Sequence, residues 1–213
     1  MSFETKEDFL DRARQHLSDP YEDIHANLDP LGEVSPQTPG DGSGLPIRKL
    51  RPAAVLFGLV DRGDDFGVVF TQRPTTMKAH AGQVALPGGK LEANENVAQA
   101  VLREAEEEIG APQTEVELIG QADPYRTNSG FSVSLVVGLL PEEFTPAPCE
   151  REVAGVFETP LSFLMSPENH QEHVKEWGGR WRRYYAMPHN GHFIWGVTAG
   201  MIKSLYDRLY DSP

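Results

Sequence analysis

The pattern of apolar and polar positions divides the middle of the chain into strands and one long helix. Residues 53–60 (AAVLFGLV) form a continuous apolar run, which is typical of a buried strand. A polar turn at residues 61–65 leads into the apolar run GVVFT at residues 67–71, so the two runs predict a hairpin. Between residues 97 and 109 the apolar side chains recur at steps of three and four, which predicts an amphipathic helix. Its apolar positions are Val97, Ala98, Val101, Leu102, Ala105 and Ile109.

The ends of this helix can also be predicted. Asn94 is the expected N-cap, because a short polar side chain can accept a hydrogen bond from the first turn. Glu95 would then lie in the first turn, where a carboxylate suits the positive end of the helix. Gly110 is the expected C-terminal stop.

The remaining segments predict a second set of elements around this centre. We expect strands at residues 115–121, 131–139 and 153–159, helices at 5–17, 160–165 and 196–209, and a late hairpin of 181–187 with 192–195 around a turn at 188–191. Residues 30–46 are rich in Pro and Gly and predict a loop. We therefore interpret residues 1–49 as an N-terminal helix with an extension, and residues 50–213 as one domain.

Composition and charge narrow the classes of function. The net charge of -13 argues against a nucleic-acid partner held by bulk electrostatics, but a few local cations and a metal still permit a small anionic substrate. No apolar run approaches roughly twenty residues, so no transmembrane helix or membrane partner is expected. The single cysteine, Cys149, allows no intrachain disulfide, and an acidic N-terminus has no signal-peptide core; both indicate a cytoplasmic protein. Whether the chain is a monomer or a homodimer stays open.

Three carboxylates of the predicted helix are the first candidates for chemistry. Glu104, Glu107 and Glu108 are spaced at i, i+3 and i+4 and share one face beside the apolar stripe. Such a run is often only a solvated acidic face. Here Gly88 and Gly89 precede the helix and let the backbone approach a metal ion or a phosphate. Because Mg²⁺ prefers oxygen ligands and keeps substrate phosphates in its shell, the cluster suits a magnesium site.

The stretch from Gly89 to Ala111 resembles the Nudix box, G-x5-E-x7-R-E-U-x-E-E-x-G-U, where U is aliphatic. Its fixed positions match at Gly89, Glu95, Arg103, Glu104, Glu107, Glu108 and Gly110, while Ala105 and Ala111 fill aliphatic positions. The resemblance implies an α/β fold of the Nudix type, an α/β/α sandwich with a mixed sheet and a catalytic loop-helix-loop that binds Mg²⁺ or Mn²⁺. It also implies that Glu104 and Glu108 ligate the metal directly.

The same resemblance assigns supporting roles to four further positions. Glu107 would be another ligand, directly or through water, and the Gly88 carbonyl a contributor. Glu95 and Arg103 would brace the loop and the helix. A general base cannot be read from the box; Glu152, in an acidic loop after it, is our candidate and Glu107 the rival.

A second signature lies just upstream and resembles that of coenzyme A pyrophosphatases, a Nudix subfamily. Thr71, Arg73, Gly82, Gln83, Pro87, Gly88 and Gly89 match it in register. Pro74, Lys78 and Leu86 depart from it, and Lys78 keeps the charge of the family's arginine without its planar fork. The resemblance implies substrate contacts from Arg73, Lys78, Gly82, Gln83 and Gly89. Taken alone, Arg73 and Lys78 are more typical of solvated charges at a strand end, but the adjoining Gly-Gln and Pro-Gly-Gly matches favour a contact with substrate. His80 is expected to be a hydrogen-bonding loop residue.

Three hypotheses for function follow. The first is metal-dependent hydrolysis of the diphosphate of coenzyme A or its derivatives, which gives 3′,5′-ADP and a 4′-phosphopantetheine species. The second is the same reaction on another nucleoside diphosphate derivative, such as ADP-ribose or a dinucleotide; the departures at Lys78 and Leu86 keep it open. The third is a non-catalytic ligand-binding Nudix module, against which the intact set of carboxylates argues.

Overall fold

The computed structural model describes residues 3–22, 50–76, 81–177 and 180–211. Within these ranges the helices are α1 (Lys6–His16), α2 (Val97–Ile109), α3 (Leu161–Leu164) and α4 (Val197–Tyr206), with 3₁₀ turns at Gln113–Glu115 and Pro167–Asn169 and a π-helical turn at Asp207–Asp211. The strands are β1 (Arg51–Asp61), β2 (Phe66–Gln72), β3 (Val84–Ala85), β4 (Gly88–Lys90), β5 (Glu117–Gln121), β6 (Tyr125–Arg126), β7 (Phe131–Leu139), β8 (Gly155–Pro160), β9 (Gln171–Trp177), β10 (Arg180–His189) and β11 (His192–Trp195). The loop predicted at residues 30–46, and Lys78 and His80, lie outside the described residues.

A mixed sheet of eight strands among the described residues is organised around β1. β1 pairs antiparallel with β2 and with β4, and it pairs parallel with β7 from Arg51↔Phe131 to Leu59↔Leu139. This central place explains the continuous apolar run, because a strand with neighbours on both edges and helices on both faces buries its side chains on both faces. The predicted hairpin of β1 and β2 is confirmed.

Helices cover the two faces of this sheet. On one face, the apolar stripe of α2, with Val97, Val101 and Ala105, packs against Ala54 and Leu56 of β1. The other face packs against α1, α3 and α4 in a larger core. The layers are therefore helix, mixed sheet and helix, and the predicted α/β/α sandwich is confirmed.

The start of α2 differs from the prediction. The N-cap is Asn96, whose side chain accepts the N–H of Gln99 at 2.9 Å, while the Gln99 side chain accepts the N–H of Asn96 at 3.0 Å. Asn94 instead takes the left-handed conformation, with φ 67°, in the turn before the helix. Glu95 therefore lies ahead of the first helical turn, not within it. The predicted stop at Gly110 is confirmed, since this residue has φ 73° and closes the helix.

A small second sheet joins β9, β10 and β11. The predicted late hairpin is present, but its strands pair as far as His189↔His192, so the turn is only Asn190 and Gly191, both with positive φ. Strand β9 was not predicted because its sequence, QEHVKEW, is polar at five of seven positions and has no apolar run. β6 also lies between the strands predicted at 115–121 and 131–139, where we predicted no element.

The N-terminal helix packs onto the domain. Phe9 and Ala13 of α1 are fully buried in the larger core, and Lys6 forms an ion pair with Asp61 at 2.7 Å. The division of the chain at residue 49 stays a prediction. Among the described residues, no helix is long and apolar enough to cross a membrane.

Candidate active site

Gly88 and Gly89 begin strand β4, and this segment, which we call the glycine turn, is shaped by close approach to its neighbours. The Gly88 N–H donates to Oε2 of Glu108 at 3.1 Å. Gly88 has φ 151°, and a Cβ atom on it would lie 2.3 Å from the Ala54 carbonyl oxygen; a Cβ atom on Gly89 would lie 2.3 Å from Oε1 of Glu104. Both positions therefore need glycine, the first for the backbone path and the second for room beside a carboxylate.

A cavity of about 530 Å³ opens where this turn meets α2. Its lining residues are Arg73, Gly88, Gly89, Lys90, Leu91, Glu92, Arg103, Glu104, Glu108 and Glu152. Residues from the end of β2, from the glycine turn, from one face of α2 and from the loop before β8 thus meet at one place.

Arg73 and Glu152 reach the cavity from different loops. Arg73 follows β2 and is held by backbone hydrogen bonds with the turn at Gly82 and Gln83: the Arg73 N–H donates to the Gln83 carbonyl at 3.0 Å, and the Gly82 N–H donates to the Arg73 carbonyl at 3.2 Å. Glu152 belongs to a loop tied to α2, since the Cys149 N–H donates to the Glu108 carbonyl at 3.1 Å. Gly82 and Gln83 support the Arg73 backbone without lining the cavity.

Arg103 connects the carboxylates around the cavity. Its guanidinium donates to both carboxylate oxygens of Glu95, at 2.8 and 3.0 Å, to Oε1 of Glu104 at 2.9 Å and to Oε2 of Glu107 at 3.0 Å. It also donates to the Lys90 carbonyl at 3.2 Å, which fixes the end of β4. The hydrogen bond from Arg103 holds the pKa of Glu95 below its usual value. Glu95 and Arg103 thus join loop to helix.

The three helical carboxylates have unequal surroundings. Glu108 is buried, with 7% of its surface exposed. The Glu104 side chain is 15% exposed, whereas the Glu107 side chain is 52% exposed, is paired with Arg103 and does not line the cavity. The shared face that we predicted therefore presents two carboxylates to the cavity and turns the third toward its rim.

Burial and mutual repulsion disfavour negative charge in the cavity. Burial raises the pKa of Glu108 to about 7; repulsion from Glu104 and Glu152 adds to the rise, while the Gly88 N–H and the charge of Arg73 oppose it. Burial also raises the pKa of Glu104, although Arg103 opposes this. A cation bound between these groups would stabilise their ionised forms.

The donor set fits a hard divalent cation. Glu104, Glu108 and the Gly88 backbone offer oxygen atoms beside a turn without side chains, as Mg²⁺ and Mn²⁺ prefer. In the described part of the chain, no three His, Cys, Asp or Glu side chains converge into a metal-binding group. A site for such an ion here would draw its remaining ligands from backbone oxygen, water and substrate phosphate.

Sequence reasoning missed three residues of the cavity. Lys90, Leu91 and Glu92 follow the glycine turn directly, and their place next to Gly89 was the available signal. Leu86, the departure from the coenzyme A signature, is 2% exposed and packs in the larger core. Leu86 can therefore influence the site only through the packing of the core beside it.

The NUDIX domain family model matches residues 49–181. The chain is 39% identical over 158 residues to the uncharacterized Nudix hydrolase NudL of Yersinia enterocolitica, which covers 74% of this chain and 80% of the relative. It is 36% identical over 164 residues to the NudL of Cronobacter sakazakii, which covers 76% of this chain and 85% of the relative.

The fold is similar to that of RenU, a Nudix hydrolase from M. Smegmatis, with a TM-score of 0.50 at 18% identity over 77% of this chain and 88% of that chain. The chain belongs to the Nudix hydrolase family. Members of this family hydrolyse small nucleotide derivatives and generally use divalent metal ions.

Proposed function

We propose that this Nudix hydrolase cleaves the diphosphate linkage of coenzyme A or its derivatives and releases 3′,5′-ADP and a 4′-phosphopantetheine species. One observation carries the proposal: Arg73, from the stretch that resembles the coenzyme A signature, lines the same cavity as Glu104 and Glu108. The cation expected to meet the substrate and the carboxylates expected to hold the metal thus face one space of about 530 Å³.

Glu104, Glu108 and the Gly88 carbonyl are the proposed ligands of Mg²⁺ or Mn²⁺, with Glu107 as a further ligand through water. When bound, such an ion neutralises diphosphate charge and orients a water molecule for attack on phosphorus. Glu107 is the most exposed of the three helical carboxylates and already accepts from Arg103, so its role at the metal is indirect.

Glu152 is the proposed general base. It lines the cavity, and its loop is joined to α2 through Cys149. Glu107, the rival candidate, does not line the cavity. A base must lie within hydrogen-bond reach of the water that it deprotonates, which favours Glu152.

Arg73 is the proposed contact to the substrate diphosphate. Its guanidinium can grip phosphate oxygens in a bidentate manner, and the backbone hydrogen bonds to the turn at Gly82 and Gln83 hold its position. Gly89 gives phosphate access to the turn. Lys78, which lies outside the described residues, is proposed as a second cation on the same substrate.

A second candidate substrate is another nucleoside diphosphate derivative, such as ADP-ribose or a dinucleotide. The observation that favours it is the departure from the coenzyme A signature at Pro74, Lys78 and Leu86, of which Leu86 is buried in the core instead of presenting an aromatic ring. The third candidate function is a ligand-binding Nudix module without catalysis.

A substrate panel tests these alternatives. Coenzyme A, dephospho-coenzyme A, ADP-ribose and a diadenosine polyphosphate would be incubated with Mg²⁺ or Mn²⁺ and the products identified by mass. We expect coenzyme A to give 3′,5′-ADP, and the double variant Glu104→Gln/Glu108→Gln, purified identically, to give none. Cleavage of ADP-ribose with no cleavage of coenzyme A would establish the second candidate, and binding without any cleavage the third.

Cytoplasmic location and oligomeric state belong to the same proposal. A lone cysteine is usual in a reducing compartment, so we place the protein in the cytoplasm, which cell fractionation can check. Light scattering will distinguish a monomer from a homodimer.

A further inference from the structure

Two cationic side chains meet at one aromatic ring beside the cavity. The Arg51 guanidinium carbon lies 4.0 Å from the centre of the Phe131 ring, and Nζ of Lys90 lies 5.9 Å from the same centre. The three residues come from the start of β1, the end of β4 and the start of β7. The register of the sheet aligns them, since Arg51 pairs with Phe131 and Ala53 pairs with Lys90.

These two cations have no carboxylate partner among the described residues, although the chain carries a net charge of -13. Both side chains are exposed, and like charges that share one ring repel each other. The Arg51 guanidinium also donates a hydrogen bond at 3.3 Å to the Ser129 carbonyl. The pair is therefore a concentration of positive charge with free donors.

The pair adjoins the proposed site of hydrolysis. Lys90 lines the cavity and follows Gly89, which packs against the Glu104 carboxylate; consecutive Cα atoms are only about 3.8 Å apart. The Lys90 backbone is fixed in the sheet by the bond that its carbonyl accepts from Arg103. Its ammonium lies 5.9 Å from the centre of the Phe131 ring.

We propose that Arg51 and Lys90 form a subsite for a phosphate monoester that the substrate carries outside its diphosphate, with Phe131 holding the two cations in place. This inference rests on the proposed function, because the 3′-phosphate of coenzyme A is such a group. Dianionic phosphate is a stronger partner for these side chains than an aromatic face. The subsite selects substrates that bear this phosphate, and Arg73 serves the diphosphate.

Binding of two products tests the subsite without turnover. Adenosine 3′,5′-bisphosphate and 5′-AMP differ by one phosphate monoester and contain no anhydride. Titration calorimetry with the full chain should show the bisphosphate binding at least about tenfold more tightly, which is the scale of one charged contact to phosphate. In the double variant Arg51→Gln/Lys90→Gln this preference should fall to about one, because glutamine keeps the polar stem and removes the charge.

The matched control is Lys175→Gln/Arg182→Gln, which removes one lysine and one arginine from exposed positions on the small sheet. It should keep the preference for the bisphosphate, and thermal melting should show that both double variants are folded. A wild-type chain that binds the two nucleotides equally, or an Arg51→Gln/Lys90→Gln variant that keeps the preference, overturns the subsite.

Hydrolysis assays keep this inference separate from the proposed function. A protein that cleaves coenzyme A but shows no preference for the bisphosphate overturns the subsite alone. A protein that does not cleave coenzyme A, yet loses the preference in the double variant, supports the subsite and overturns the proposed substrate.

Discussion

Replacement of Gly89 by alanine would test whether the glycine turn serves the carboxylates. A Cβ atom at this position would lie 2.3 Å from Oε1 and 2.6 Å from Cδ of Glu104. Gly89 does not have a positive φ, so alanine itself suits its backbone. The conflict is therefore confined to the end of the Glu104 side chain, which can move.

The loss of activity expected for Gly89→Ala follows from the overlap between its Cβ atom and the Glu104 carboxylate. Ordinary contact begins at 3.4 Å, so the Glu104 carboxylate must retreat by about 1 Å. A misplacement of about 1 Å in a catalytic group can lower a rate by about 100-fold, and we expect kcat to fall by that factor. Because only a flexible side chain moves, the free energy of unfolding should change by about 1 kcal/mol or less.

The assay compares three alanine variants by kcat, by Mn²⁺ affinity from electron paramagnetic resonance, and by thermal melting. Gly155→Ala is the control, since nothing lies within 4 Å of its added Cβ atom. Gly88→Ala should lower the melting temperature as well as kcat, because its Cβ atom would meet the Ala54 backbone and its φ is 151°. A folded Gly89→Ala enzyme with wild-type kcat and Mn²⁺ affinity would refute the reasoning.

Three further predictions concern the cavity. In metal-free protein, Glu108→Gln should raise the free energy of unfolding at pH 8 by up to about 3 kcal/mol, because a folded pKa of about 7 makes ionisation of Glu108 unfavourable. The gain should fade between pH 7 and 4.5, where the folded and then the unfolded state bind the proton; urea titrations that show an equal gain at pH 4 and pH 8 would contradict it. Glu152→Gln should lower kcat by about 10²–10⁴-fold with Mn²⁺ affinity unchanged, and a loss below tenfold would return attention to Glu107. Arg73→Ala should lower kcat/KM for coenzyme A by about 10- to 100-fold, and equal losses on dephospho-coenzyme A would assign Arg73 to the diphosphate.

The central elements could be predicted because their apolar patterns are long and unambiguous. β1 is buried on both faces, and α2 carries one continuous stripe. Strand β9 could not be predicted, since its stability comes from pairing with β10 and not from its own composition. The N-cap of α2 was misplaced because Asn94 and Asn96 both suit that position; Gln99, three residues after Asn96, was the signal that distinguishes them.

The residues of the candidate site also fall into those that the sequence could predict and those that it could not. Spacing along one helix was sufficient to predict that Glu104 and Glu108 share a face, because that relation is local. The ion pair of Arg103 with Glu107 is equally local, since they are at i and i+4, and spacing could have indicated it. Spacing could not show that Glu107 would lie outside the lining of the cavity. The pairing of Arg51 with Phe131 joins strands eighty residues apart, so only the register of the sheet reveals it.

The contact between α1 and the last turn has a consequence for synthesis of the chain. Arg12 donates to the Leu209 carbonyl at 3.3 Å, and Arg208 donates to the His16 carbonyl at 3.0 Å, across separations of 197 and 192 residues. Arg12 and His16 therefore leave the ribosome long before their partners Leu209 and Arg208. The nascent chain must carry α1, an amphipathic helix whose Phe9 and Ala13 are buried in the folded protein, without these C-terminal contacts until residues 208 and 209 have emerged. Chaperones that shield exposed apolar side chains should associate with the chain in that interval.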